Sequence, residues 1–441
     1  MFKTLKNAWS VPEIRKKLLY TLFVIILFRI GSVITVPFLD VSAVQSWMEE
    51  SATGGNFLEY LNIITGGALS KATIFSLSIT PYINASIIIQ LLTYALPPLE
   101  RLQQEGETGR KVLNRITACV AVALSIFMSI AYYLTLRNSM TAVRYTTGWE
   151  GVFVGFVIVL TFIAGTSIVV WLGNQVDKKG IGNGISVILF AGIIARIPTD
   201  VGTLAQLTMD NPQKYFFVSL GMLVLYVAMI TVIVFMNASE RRIPIQYAKR
   251  VVGRKQYGGQ STNIPIKVLM SGVMPIIFAM SFMSLPSTLS LFKQPDPAAT
   301  SAGGKFYYHF ISFFSTQSYG YAAIYFILII AFNYFYVSMQ YNPIEIANNL
   351  RQNNGGIPGI RPGKPTSEYI QKVLNKITLV GAVFLGIVAV IPIFIGKADT
   401  NLSSLSMGGT SILIVVSVAL ETVRTLESQM MMRHHSGFLN K

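Results

Sequence analysis

Apolar residues along this chain gather into ten long runs, separated by polar or charged connections. A helix crossing a hydrocarbon core takes about 20 apolar residues. On that measure the predicted spans are 18–39, 81–96, 116–136, 151–172, 181–197, 215–236, 268–292, 319–341, 377–395 and 409–423. The approach to the second span is unusual. Gly66 to Lys71 is small, polar and glycine-led, a poor helix and a poor span. Pro81 then opens PYINASIIIQLL, long enough only for a discontinuous helix. Irregular backbone at membrane depth survives where protein or a watery cavity surrounds it. A half-helix beside a non-helical segment therefore points to a transport path.

The connections carry their own signals. Residues 1–17 combine five basic residues with Phe2, Leu5 and Trp9, which suits an interfacial helix. Arg29 falls inside the first span and is expected to face protein or water, as half of a structural pair. Pro97-Pro98 stops the second span and Pro198 the fifth. In the connection 237–267, RRIPIQYAKRVV alternates apolar and basic residues, as a β-ribbon does, with Tyr257-Gly258-Gly259 as turn material. In 342–376 the tip NNGGIPGIRPGKP is all turn chemistry and predicts a projecting, non-helical shape. The connection 293–318 is longer than a hairpin needs, and the sequence assigns it no role.

Composition supports the membrane reading. Apolar residues make up 52% of the chain and charged residues 12%, against about 25% charged in soluble domains. The net charge of +16 reflects topology: of 35 Lys and Arg, 26 fall on one side of the ten spans and seven on the other. Cationic loops stay in the cytoplasm, which places both termini there. Five spans per half is an odd number, so the halves 18–200 and 201–428 run inverted if they are repeats; a tail, 429–441, follows. The basic start leads into a run too long for a signal-peptide core, so it reads as a retained first span. One cysteine, Cys119, rules out an internal disulfide, and three histidines are too few and dispersed for a zinc site.

Catalytic motifs are absent. There is no Walker loop, no HExxH and no Ser-His-Asp set, and Gly180-Ile181-Gly182-Asn183-Gly184 reads as a turn into the fifth span. The chain is expected not to be an enzyme and to need no cofactor or metal. Span interiors hold almost no carboxylates; Glu421 lies near a span end, one turn from Arg424. Coupling to an ion gradient through a buried acid is therefore not expected. What the spans offer is aliphatics beside polar groups. Ile83 and Ile87 share one helix face, with Asn84, Ser86 and Gln90 nearby; Ile185 and Leu189 repeat the spacing. Such side chains are either ordinary lipid contacts or a constriction that dewets and stops ions. A solute transporter with inverted repeats and a non-transporting assembly factor are the competing functional classes.

Several blocks resemble the SecY family of protein-translocation channels: GGALSKATIFSLSITPYINASIIIQLL, GIGNGISVILFAGI, RRIPIQYAKR, QSTNIPIKVLMSGVMPIIFA, PGIRPG with Tyr369-Ile370 after it, and GGTSILIVVSVALE. They occur in order from the first span to the last. The resemblance implies an all-α polytopic membrane protein whose ten transmembrane helices form two inverted five-helix halves, a clamshell around a central pore. It implies a plug at about 62–73 (Asn62, Gly66, Gly67, Ala68, Leu69, Ser70) and a pore ring of Ile83, Ile87, Ile185, Leu189, Ile277 and Ile414. It implies a lateral gate between spans 2 and 7, flanked by spans 3 and 8 and carrying Asn84, Gln90, Pro275 and Ser281, with Gly272, Pro275 and Pro286 as places to bend. Arg254, Lys255 and Arg361 would dock cytoplasmic partners. The implied partners are SecE, SecG, the SecA ATPase, the ribosome, unfolded preproteins, signal peptides and membrane lipids, in a bacterial plasma membrane.

Overall fold

The structure is a computed structural model that describes residues 8–52, 62, 65–138, 140–247, 250–252, 255–257, 261–292, 302–314, 318–398 and 408–436. Its helices in the first half are α1 (Pro12–Gly31), α2 (Val41–Ala52), α3 (Thr80–Ala95), α4 (Pro97–Gln104), α5 (Glu107–Asn138), α6 (Gly148–Lys179) and α7 (Gly184–Asp210). The second half holds α8 (Pro212–Ala238), α9 (Met274–Phe292), α10 (Ala302–Phe313), α11 (Tyr319–Gln340), α12 (Pro343–Gln352), α13 (Lys364–Ala398) and α14 (Gly408–Ser436). Short strands β1 (Glu240–Tyr247), β2 (Arg250–Val252), β3 (Lys255–Tyr257), β4 (Ser261–Lys267) and β5 (Gly355–Gly356) complete it.

Each predicted span holds one helix: α1, α3, α5, α6, α7, α8, α9, α11, α13 and α14. Six helical stretches among the described residues are long and apolar enough to cross a membrane, and a seventh if the bent pair α3–α4 counts as one. The halves meet along two seams. On one, α14 packs on α7; on the other, α9 packs on α3 and α5. The central cluster draws buried side chains from α3, α7, α8, α9, α11, α13 and α14. Outward faces stay greasy: Phe216 and Phe217 on α8 and Phe153 and Phe156 on α6 are all more than half exposed, as side chains bathed in lipid are.

Several boundaries differ from the sequence reading. The first span was expected at 18–39, yet α1 starts at Pro12 and stops at Gly31. Arg15, Lys16 and Lys17 therefore belong to its opening turns; residues 8–10 are helical, and 1–7 lie outside the described residues. Beyond Gly31 the chain is extended, because its segment pairs with the stretch before α3: Thr35 bridges Thr73, and Phe75 stacks on Phe28 at 5.8 Å. Pro98 and its neighbours do not form a loop. The residue before Pro97, Leu96, is forced to extended backbone, and the chain restarts as α4 after a 100° bend.

Pro198 does not end the fifth span. It sits inside α7, which continues to Asp210. The Arg196–Asp200 pair at 3.1 Å and the Thr203 hydroxyl, donating to the Thr199 carbonyl, carry the helix past the proline. In the connection after α1, Asp40 accepts from the Ser42 hydroxyl at 2.6 Å and its amide at 3.0 Å, which opens α2 and holds the Asp40 carboxyl below the usual carboxylate range. The expected non-helical loop 342–376 is largely helical: Asn342 caps α12, and α13 begins at Lys364. The unassigned connection 293–318 contains α10.

The expected ribbon exists. β1 pairs antiparallel with β4 along its length and β2 with β3. Sequence reading missed the third strand. β5, two glycines in the loop after α12, pairs with the end of β1, giving the order β4-β1-β5. Ile243, Ile245, Ile266, Leu350, Ile357, Ile370 and Leu374 bury one core beneath it. The two connections thus form one body rather than separate projections.

Candidate functional site: an apolar collar and the segment packed beside it

Four helices bring the collar together. α3 opens with Pro81 in its first turn, where the missing amide costs nothing. α7 opens with Asn183, whose side-chain oxygen accepts from the Ile185 and Ser186 amides at 3.1 and 3.2 Å. Asp177 of α6 accepts from the Gly184 amide at 2.7 Å and fixes the turn. From these starts Ile83 and Ile87 project from α3, and Ile185 and Leu189 from α7. Ile277 of α9 and Ile414 of α14 meet them. Ile87, Leu189, Ile277 and Ile414 are buried members of the central cluster, and Ile83 and Ile185 pack against it. All six predicted ring positions therefore share one apolar cluster at the junction of the halves.

The segment before α3 is compact without being helical. Gly66 and Gly67 have φ of +67° and +84°, which only glycine adopts freely. The Gly67 amide donates to the Asn62 carbonyl at 2.8 Å, and the Ser70 amide to the Asn62 side chain at 3.0 Å. The Ser70 hydroxyl donates to the Gly67 carbonyl at 3.0 Å. Thr65, Ala68, Leu69, Ala72 and Thr73 are buried. A Cβ on Gly66 would lie 2.5 Å from the Gly192 carbonyl oxygen of α7 and 2.9 Å from Arg29 Nη1 of α1. Gly192 is three residues beyond Leu189, so about 4.5 Å of helix separates this segment's contact from the collar. Arg29 Nη1 is buried and has no hydrogen-bond partner among the described residues. Residues 61, 63 and 64 of the expected plug lie outside them.

Tyr132 of α5 holds the same segment. Its fully buried hydroxyl donates to the Leu69 carbonyl at 3.0 Å. Replacing Tyr132 with Phe leaves that carbonyl buried and unpaired, a cost of about 1–3 kcal/mol. The expected outcome is faster alkylation of a Ser70→Cys probe by a water-soluble maleimide, by roughly fivefold or more if half that cost is felt locally. Unchanged alkylation would show that Tyr132 does not restrain the segment.

The expected gate lies on the α3–α9 seam. α5 flanks α3, and α11 flanks α9. Asn84 is buried on α3 with its side-chain oxygen unpartnered among the described residues, and Gln90 donates to the Ser86 hydroxyl at 3.1 Å. Ser281 is half-buried on α9. Pro275 is not a mid-helix bend. α9 starts at Met274, so Pro275 opens the helix, after a turn in which Gly272 has φ of +59°. Pro286 alone of the two lies inside it. A buried network fixes the turn: the Ser271 hydroxyl donates to the Asn333 side-chain oxygen, and the Asn333 amide nitrogen donates to the Thr378 carbonyl at 3.0 Å.

Of the expected docking residues, Arg361 is exposed, its carbonyl accepting from the Thr366 hydroxyl at 2.8 Å. Lys255 lies in β3, with its side chain outside the described residues, and Arg254 lies outside them altogether. No cluster of His, Cys, Asp or Glu fit to hold a metal occurs among the described residues.

These features have counterparts in known proteins. The SecY family model matches residues 73–423. A protein translocase subunit SecY of Streptomyces griseus is 39% identical over 449 residues, with both chains covered completely. A solved protein-conducting channel superposes with a TM-score of 0.64 at 17% identity, covering 97% of each chain. Sec61 from a canine ribosome-channel complex gives 0.60 at 16%, again covering 97% of each. Those two structures show the ten-helix clamshell fold. The family match and the full-length identity show more: this chain is a multi-pass membrane protein that belongs to the SecY family.

Proposed function

We propose that this chain forms the polypeptide-conducting path of a protein translocase. The carrying observation is the convergence of six aliphatic side chains from α3, α7, α9 and α14 in one cluster, with the segment 65–73 packed one helical turn away. A collar of that kind excludes water and ions when idle, because a narrow apolar constriction dewets. A passing chain parts it. The segment at 62–73 acts as the plug, and its local hydrogen bonds let it move as a unit. The seam between α3 and α9 acts as the lateral gate. A stretch of about 20 apolar residues is more stable in lipid than in a wet pore, so signal sequences and membrane spans leave sideways there.

The chain acts as a conduit rather than an enzyme, and energy comes from a partner. The joined body of β1, β4, β5 and α12 supports docking of SecA or the ribosome, through Arg361, Lys255 and Arg254. The ribosome's phosphates attract such cations in a salt-dependent way. SecE and SecG complete the assembly in a bacterial plasma membrane, with both termini cytoplasmic.

A photo-crosslinker on an arrested secretory chain tests this reading, in vesicles supplied with SecA and ATP. The expected adducts form at Ile83 and Ile277 and not at lipid-facing Phe217. Equal labelling of all three, or no movement of the unfolded preprotein, would return the choice to a solute carrier or an assembly factor.

A further inference from the structure

The connection between α9 and α11 contains a helix with three distinct faces. Along α10, Phe306, Phe310 and Phe313 fall at i, i+4 and i+7 and so form one stripe. They are 73%, 37% and 47% exposed, and Phe306 stacks on Phe310 at 6.3 Å. Lys305, His309 and Ser312 form the next stripe by the same spacing and are also exposed. The remaining face, Gly304, Tyr307, Ile311 and the following Phe314, is half-buried.

That third face fixes the helix on the protein. Phe314 packs on the central cluster, α10 touches α9, and the Phe313 ring lies within 2.4 Å of where a Gly320 Cβ would stand at the start of α11. α10 therefore sits at the end of α9 and α11 opposite the β-sheet, since β4 runs into the other end of α9. The phenylalanine stripe belongs to a wider aromatic belt at this level: Tyr319 is 75% exposed, and its ring is 6.4 Å from that of Phe394, which is 50% exposed.

An exposed three-phenylalanine face is unfavourable in water. A helix backed by protein, greasy on one flank and polar on the other, matches a bilayer surface, where aromatic rings sit at headgroup level. We propose that α10 lies in the membrane–water interface, with Phe306, Phe310 and Phe313 in phospholipid and Lys305, His309 and Ser312 facing water and lipid phosphate. Seated so, it tethers the far end of α9 to the lipid surface. The continuity of the stripe with the lipid-facing aromatic belt favours lipid over a protein partner.

Single-cysteine probes test this in the full-length protein. Cys119 is exposed, so Cys119→Ser provides the background. Phe306→Cys and His309→Cys are each labelled with an environment-sensitive fluorophore, in vesicles of phosphatidylethanolamine and phosphatidylglycerol. Both positions are exposed, so neither substitution disturbs packing. The Phe306→Cys probe is expected to emit at shorter wavelength and to be quenched by a shallow nitroxide lipid about twofold more than the His309→Cys probe, with aqueous iodide giving the reverse order. Equal iodide quenching at the two positions overturns the proposal in favour of a water-exposed helix. Protection of position 306 from both quenchers overturns it in favour of a protein cover.

Discussion

Serine at position 83 or 277 is expected to raise ion conductance through the resting protein by about thirtyfold. Ile277 is buried in the central cluster, and Ile83 packs at its edge. Exchanging either for serine removes roughly 2 kcal/mol of apolar transfer free energy from the dry state and adds a hydroxyl that holds water. Each 1.4 kcal/mol is about tenfold in the population of the wetted state, which gives the factor stated. Planar-bilayer recording of purified protein measures it. Leu220→Ser on α8, half exposed on the outer surface, is the control and should leave conductance unchanged. If the ring variants stay as tight as the control, the cluster is packing and does not seal a path.

The second large effect concerns Gly165. A Cβ there would stand 2.0 Å from the Ile74 carbonyl oxygen, and Ile74 is tied in turn to Ile34 by a backbone hydrogen bond of 3.0 Å. The obstacle is backbone, so no side chain can rotate away. Gly165→Ala must push α6 from the segment that leads into α3. Overpacking costs about 1–3 kcal/mol, and this site belongs at the upper end. The expected outcome is a fall of roughly 5 °C or more in the thermal midpoint of the detergent-solubilised protein, at about 2–4 °C per kcal/mol. Gly202→Ala is the matched control. Gly202 lies in α7 with open space around it, so alanine there gains up to about 1 kcal/mol of helix propensity. Equal midpoints for the two variants would mean that the α6 contact is loose.

The contrast between those glycines shows what the chain discloses on inspection and what it conceals. The spans were readable because apolar run length is a local property. The half-helix at Pro81 was readable for the same reason. Pairing across the molecule was not. Ile83 and Ile87 announce a shared helix face, but nothing local says that Ile277 and Ile414 meet them; family resemblance named those positions. The third strand of the sheet was invisible because Gly355-Gly356 has no strand propensity, and its pairing is imposed by β1. Pro198 misled because its neighbours Arg196 and Asp200 sustain the helix. Tyr132 was missed entirely: a tyrosine in an apolar run gives no sign that its hydroxyl meets the Leu69 carbonyl.

The order β4-β1-β5 also bears on biosynthesis. β1 and β4 are adjacent in the chain and can zip together as soon as Lys267 is made. β5 follows only after α9, α10, α11 and α12 have been synthesised. Through that interval the far edge of β1 waits with unpaired amides and carbonyls, an adhesive edge of the kind that invites misassembly. Nascent chains stalled between these two points are thus the form most in need of a chaperone.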